Sequence, residues 1–400
     1  MNGLSRKIYL ELPLPTEDDS RSDQQRILDS LAAAGVEERV HIPVHILRQL
    51  YPLLDNAKWK ITVSLAWNGE NWEMVEIEEG DTTAQHYGLA VDLGSTTVVA
   101  RLLDCNSGEI LKEVSCFNKQ IQWGTDILSR IFYCKDNREK LEEVRRATVE
   151  SICECMDKLD ASHSALSMVI AGNTTMIHFL LGMDSFCVFY TPHAVHADCP
   201  GFQLARDLDI PLKGYVYCYP AKSNYLGGDI ISGMIDTELY KKNEISVFFD
   251  IGTNGELVIG NKEFLLCGAG AAGPALEGGV VRTGMRAEAG AVDEVKIRDG
   301  NIYVHVIGSH KEDSGSHEKN SGNHEENSSG EEPRGICGSG IIDLIAELFL
   351  EGWIDIRGKL SPEKSPLIQE RDNQLCVEYA PGLYFYQKDI DEFIRTKSAA

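Results

Sequence analysis

The chain has 400 residues, 43% of them hydrophobic, and a formal net charge of −24. That length is enough for two or three ordinary domains of roughly 100–200 residues each. The charge excludes nucleic acid and anionic membrane as natural partners, since both are bound through clustered Lys and Arg. With no apolar run of spanning length and no signal-peptide core, the sequence reads as a cytoplasmic, multi-domain protein.

Residues 1–86 predict one helix near Asp23–Ala34 and strands at Lys58–Ala66 and Trp72–Ile77, which together make a small accessory α+β module. From Tyr87 the texture becomes strand, glycine turn, strand: Leu89–Asp92, Gly94, Val98–Leu103, a turn at Asn106–Gly108, then Ile110–Val114. Amphipathic helices are expected at 125–133 and 138–159, the second with Leu141, Val144, Thr148, Ile152, Cys155 and Leu159 on one face. A buried strand, Leu166–Ala171, runs into a helix over 173–181, and Gly227-Gly228-Asp229 opens another over Ile230–Tyr240. Strand followed by helix is the α/β signature, and residues 87–243 form the first subdomain.

A second cycle occupies 244–400: Val247–Ile251, Gly252, Glu256–Ile259, a turn at Gly260-Asn261, and Phe264–Leu266. Both cycles carry D-[LI]-G-[ST]-[TN], at Asp92 and at Asp250, which suggests a duplicated subdomain. Within the second lies a tract at 309–332 made almost wholly of Ser, Gly, Asn, His, Glu and Lys, with an imperfect repeat that sets His310, His317 and His324 in register. It lacks the apolar residues needed to offset chain entropy and is expected to be a disordered surface insertion, either solvated filler or a weak metal ligand set. Gly335–Gly340 then leads into an apolar helix at Ile341–Phe349.

The chemistry is concentrated in the two glycine turns. At Asp92-Leu-Gly-Ser-Thr-Thr97, Gly94 permits a tight turn, so that the amides and hydroxyls of Ser95, Thr96 and Thr97 can receive a phosphate. Asp92 would hold the accompanying Mg²⁺. Asp250, Gly252, Thr253 and Asn254, followed by Glu256, repeat the pattern, and two such hairpins can grip a polyphosphate from opposite sides with both aspartates on one metal ion. Gly268-Ala-Gly-Ala-Ala-Gly273 imitates a dinucleotide motif but follows the returning arm of a hairpin. Its Gly270 and Gly273 read better as bringing a helix N-terminus near the nucleotide. No G-x-x-x-x-G-K-[ST] loop exists, which excludes a P-loop enzyme. Asp229 and Glu256 are candidate catalytic carboxylates for orienting a hydrolytic water, and Asp229 reads equally as a helix cap.

The 11 cysteines are scattered, without C-x₂-C pairs, and read as reduced thiols rather than zinc or iron–sulfur ligands. Cys337 reads as a packed residue. His193, His196 and Cys199 imitate a metal loop, but with irregular spacing and no fourth ligand.

Taken in order, Tyr87–Thr97, Asn118–Asp126 through Ser129-Arg130, Gly172–Met176, Gly228-Asp229, Asp250–Glu256, Ala271–Gly278, Gly284–Ala287 and Gly335–Gly340 closely resemble the reductive activators of corrinoid-dependent methyltransferase systems, from about Leu10 to the last residue. The resemblance implies an actin-like (ribonuclease H-like) ATPase fold with duplicated subdomains behind a linker module. It also implies ATP and Mg²⁺ as cofactors, and an ATP-driven reduction of a Co(II) corrinoid to Co(I). The implied partner is a corrinoid protein or corrinoid-dependent methyltransferase. Similar proteins carry an N-terminal [2Fe–2S] domain, for which this chain holds no ligands, so an electron donor in cis or in trans is expected. The chain ends in a helical stretch short of the family's Gly-Gly adenosine turn, and is read as a fragment or degenerate copy of a longer activator. A homodimer, a small-molecule kinase of the same fold and a non-catalytic truncated ATPase acting as a binding module all stay open.

Overall fold

The structure, a computed structural model, describes residues 3–124, 126–161, 165–224, 226–251, 255–270, 281–285, 287–308 and 332–399. The chain divides into two compact units, Met1–Phe248 with Ile259–Leu266, and Phe249–Val258 with Cys267–Ala400.

The first unit opens with β1 (Ser5–Glu11), α1 (Asp23–Ala33), β2 (Val40–His41), α2 (Val44–Leu47), α3 (Leu50–Asn56), β3 (Lys60–Trp67) and β4 (Trp72–Glu79). Its four-stranded sheet has the order β1-β3-β4-β2. Helix α1 starts where expected because the Ser22 hydroxyl accepts the Gln25 amide, and it buries Ile27 and Leu31 against Ile61, Val63 and Leu65 of β3. Strand β1 has no counterpart in the sequence reading. Its middle residues, Arg6 to Tyr9, are all partly exposed, which erases the alternation that marked β3 and β4.

The next element set is β5 (Tyr87–Leu93), β6 (Thr97–Asp104), β7 (Ile110–Phe117), α4 (Ile127–Cys134), α5 (Arg138–Lys158), β8 (Ala165–Ala171), α6 (Thr174–Leu180), β9 (Gly201–Leu204), β10 (Tyr215–Cys218) and α7 (Gly228–Thr237). They form a six-stranded sheet in the order β7-β6-β5-β8-β10-β9. The β5–β6–β7 meander is antiparallel, while β5, β8 and β10 run parallel to one another. Helix α5 covers this sheet with Val144, Ile152, Cys155 and Met156, all fully buried. Helix α7 stops short of the expected Tyr240: Glu238 turns left-handed at φ 50° and a 3-10 turn, Leu239–Lys241, follows.

The first sheet docks on the second through a small apolar cluster, Ala66, Val75 and Leu166, ringed by polar ties. Ser5 Oγ lies 2.8 Å from His86 Nε2 and 3.2 Å from Ser167 Oγ, and Tyr215 donates its hydroxyl to Glu73 at 3.0 Å.

Strands β11 (Ser246–Ile251), β12 (Gly255–Gly260) and β13 (Leu265–Gly270) make a three-stranded sheet in chain order. The second unit continues through β14 (Ala291–Arg298), β15 (Asn301–Val306), β16 (Gly335–Ile336), α8 (Gly338–Leu350), β17 (Ile368–Arg371), β18 (Gln374–Ala380), β19 (Leu383–Tyr386) and α9 (Gln387–Ala399). Helix α8 packs Ile341, Leu344 and Leu348 into a core with Val292, Val295, Ile336 and Phe385. The expected insertion at 309–332 lies outside the described residues except for its last position. No helix among the described residues is long and apolar enough to cross a membrane.

Burial holds the His86 imidazole below its usual pKa of 6.5, with Lys7 adding to the effect and Asp104 opposing it. The unfolded chain therefore takes up that proton more readily, so the stability linked to neutral His86 is complete above that pH and lost as pH falls through it. The urea midpoint is expected to fall between about pH 7.5 and about pH 5.5. In His86→Gln it should fall less, and an identical slope in the two proteins would remove His86 as a contributor.

Candidate functional site

The turn between β5 and β6 is built by crowding. Leu93 pairs with Val98, so four residues must reverse the chain, and a Cβ on Gly94 would collide with the Thr97 carbonyl. Asp92 precedes this turn, in register with Val99 on one side and with Ala171, the last residue of β8, on the other. Asp92 is exposed, Ser95 is buried, and Gly94, Thr96 and Thr97 are half-buried.

The turn's carbonyls are held from one side. Asn118 donates its side-chain amide to Gly94 O at 2.9 Å and its backbone amide to Thr96 O at 2.9 Å, while Arg130 Nη1 donates to Ser95 O at 2.6 Å. In a trans peptide the N–H points opposite to the C=O. The Ser95 and Thr96 amides are therefore directed away from Asn118 and Arg130, as a backbone anion cradle requires.

The end of β8 sits alongside. A Cβ on Gly172 would lie 2.8 Å from Leu93 O, so only glycine lets the two strand ends approach this closely. Asn173 caps α6, its side-chain oxygen accepting the Met176 amide at 2.9 Å. Gly228 donates its amide to Gly172 O at 2.8 Å, which brings the start of α7 against the same strand end. The cap of α7 is Gly227, not Asp229. The half-buried Asp229 lies in the first turn, its Oδ1 accepting the Ile230 amide at 2.8 Å, so the cap reading of that residue is corrected. Asp92, Gly94, Gly172, Asn173 and Asp229 thus gather at the carboxyl ends of the parallel strands, where open α/β sheets bind ligands.

In the second constellation Asp250 lies on β11 and Glu256 on β12, both half-buried. Gly252, Thr253 and Asn254 between them fall outside the described residues, as do Gly273 and the expected helix at 275–279. Gly270 ends β13, and Gly268 lies within that strand. The first glycines of the dinucleotide-like motif are therefore extended chain rather than a tight turn.

Asn118, Gln120 and Arg130 carry the turn, yet nothing in the turn motif itself named them. Arg130 shares the buried face of α4 with Ile131 and Cys134, and a charged residue on an apolar face was the available signal. All 11 cysteines are free thiols. Cys116 and Cys155 bring their sulfurs to 3.3 Å inside the core, a contact the scattered spacing concealed. Among the described residues no cluster of three or more His, Cys, Asp and Glu could hold a metal ion, which includes His193, His196 and Cys199. A cavity of about 450 Å³ beside α5 is not part of this site, and its Arg145 is already paired with Glu142 and Asp209.

Three family models match this chain end to end: the RACo linker region over 1–84, the RACo middle region over 87–242, and the C-terminal domain of RACo, the ASKHA domain, over 244–400. The chain belongs to the RACo family. The corrinoid activation enzyme RamQ of Eubacterium limosum is 33% identical over 281 residues, 68% of this chain and 43% of that protein. A Co(II) methylated amine-specific corrinoid protein reductase of Methanosarcina barkeri is 24% identical over 319 residues, 76% of this chain and 56% of that protein. Among solved structures, a reductive activator for corrinoid, iron-sulfur protein superposes with a TM-score of 0.87 at 32% identity, covering all of this chain and 63% of that one. The chain spans about half the length of the curated relatives it matches. The α/β architecture with an actin-like ASKHA region is that of the RACo fold.

Asn118 is fully buried, and its side chain is the bond to Gly94 O. Asn118→Ala should destabilise the first unit by about 1–3 kcal/mol, the cost of leaving a buried polar partner unpaired. Urea denaturation measures this, and a loss below about 0.5 kcal/mol would mean the turn holds without Asn118.

Proposed function

We propose that this RACo chain supplies the nucleotide-handling core of an ATP-dependent reductive activator that returns a Co(II) corrinoid to Co(I). The observation that carries the reading is the 94–96 turn at the carboxyl ends of β5 and β8, with its carbonyls fixed behind and two amides directed forward. The residues suit a magnesium–phosphate group: an exposed carboxylate at Asp92, a turn that only glycine can make at Gly94, and hydroxyl side chains at Ser95, Thr96 and Thr97. On this reading Asp92 and Asp250 face Mg²⁺. Gly252, Thr253 and Asn254 take the other side of the polyphosphate, and Gly270 and Gly273 bring chain close to the nucleotide. Asp229 or Glu256 orients the attacking water, and Asp229 starts from a position at the strand ends.

ATP turnover would supply the free energy for an unfavourable one-electron transfer, by favouring a conformation in which donor and corrinoid can exchange the electron. The partners are a corrinoid protein or corrinoid-dependent methyltransferase, and an electron donor with a [2Fe–2S] cluster in cis or in trans. The names of the relatives support this choice over a kinase, which would need a substrate hydroxyl in place of a protein partner.

Asp92→Ala and Asp250→Ala should each abolish Mg-ATP binding measured by calorimetry. They should also abolish the ATP-dependent appearance of Co(I) absorbance when a reduced ferredoxin and a Co(II) corrinoid protein are supplied. An unchanged affinity in either variant removes the two-hairpin grip. Phosphorylation of a small hydroxyl compound by the wild type would move the assignment to a kinase.

A further inference from the structure

Arg130 is fully buried on α4 and its three bonded donors go to neutral oxygens: Nε to Gly124 O at 2.9 Å, and Nη1 to Ser95 O at 2.6 Å and Gln120 Oε1 at 3.0 Å. Nη2 is buried as well and makes no hydrogen bond. The nearby opposing charge, Asp126, directs its carboxylate to the Ser129 amide at 2.8 Å and hydroxyl at 2.6 Å instead. A buried charge normally comes with a paired carboxylate, because an unpaired one is costly to desolvate. The cost is visible here, since burial pushes the guanidinium down to about 10. A structural clamp on a carbonyl would not need this charge, as the neutral Asn118 amide on Gly94 O illustrates.

The bond to Ser95 O explains what the charge does. Ser95 C=O and Thr96 N–H belong to one peptide unit, so a cation on the oxygen polarises the unit and strengthens the amide as a donor on its far face. We propose that Arg130 is the positioning residue of the phosphate turn. It fixes the Ser95–Thr96 peptide and strengthens the Thr96 N–H toward a polyphosphate, whose negative charge offsets the guanidinium buried behind it. Arg130 itself touches no ligand. Its orientation is set in turn by Gln120, whose side-chain nitrogen is held by Thr148 of α5, and by the Gly124 carbonyl. This assignment rests on the reading of residues 92–97 as a phosphate site.

The test titrates the full chain with Mg-ATP, Mg-ADP and adenosine by calorimetry, comparing wild type, Arg130→Lys and Arg130→Met, with far-UV circular dichroism to verify folding. Arg130→Met is expected to weaken Mg-ATP by about tenfold or more, the loss of a charge-assisted hydrogen bond. Arg130→Lys should recover part of that loss, and adenosine binding should be equal in all three proteins. A purely structural role would weaken the three ligands alike or give no rescue by lysine, and either result overturns the proposal. If the wild type binds Mg-ATP and Arg130→Met binds it equally well, the role of Arg130 falls while the phosphate site stands. If the wild type binds no Mg-ATP, both fall. Should the methionine variant fail to fold, the lysine variant decides: wild-type affinity for Mg-ATP overturns the proposal, and a loss confined to the phosphate-bearing ligands supports it.

Discussion

Three consecutive carbonyls, those of Gly94, Ser95 and Thr96, are all engaged from one side, and that one-sidedness orders much of the first unit. Asn118 can reach the turn because β7 ends one residue earlier, in register with Thr97 at the start of β6. The Lys119 amide bonds to Ser151 Oγ on α5, which fixes the chain leaving β7. Arg130 is delivered by α4, which starts where Asp126 caps it. A loop of four residues is thus held by two helices and a strand end, and the packing of α5 on the sheet keeps those supports in place. Preorganisation of this kind lets backbone amides bind an anion without an ordering cost at the moment of binding.

The neighbouring strand end obeys a second constraint, the absence of side chains. Gly172, Gly227 and Gly228 meet where β8 gives way to α6 and α7 begins, and a Cβ at any of them would meet backbone atoms or the Tyr219 side chain. This is a packing reason for glycine that differs from the reason at Gly94, where the turn itself excludes a Cβ. The two together bring Asp92 and Asp229 to the same edge of the sheet, from elements separated by well over a hundred residues of chain.

Much of this was legible in the sequence, for identifiable reasons. Strands β5 and β8 are apolar runs ended by glycine, and α5 displays Val144, Thr148, Ile152 and Cys155 at helical spacing, so local pattern and burial agree. The D-x-G-[ST] signature located the turn after Asp92. What was missed depends on tertiary contact. Strand β16 is two residues long and is defined by its pairing with β14 and a bridge from Ile336 to Gly284. Strands β17 and β19 are four residues each, and β9 is an edge strand whose four residues are all half-buried. Strand β14 was also left unread, although Val295-Lys296-Ile297-Arg298 alternates apolar and charged residues. Asn118 and Arg130 act on atoms of residues 94–96, and no local pattern connects a side chain to a carbonyl so far along the chain.

The seam between the N-terminal sheet and the six-stranded sheet has its own character. Its apolar contact includes Ala66, Val75 and Leu166 with Tyr215 against them, and beside these lie Ser5, His86, Ser167, Glu73 and the ion pair of Lys213 with Glu76. The heat capacity of opening and its sensitivity to denaturant both follow the surface exposed, with the apolar part raising the heat capacity. Parting this seam would therefore leave only a faint calorimetric trace and a shallow urea dependence, far below those of melting either sheet's own core. Any separation of the two sheets at this seam would scarcely register in bulk unfolding curves, whereas amide exchange at the seam would report it directly.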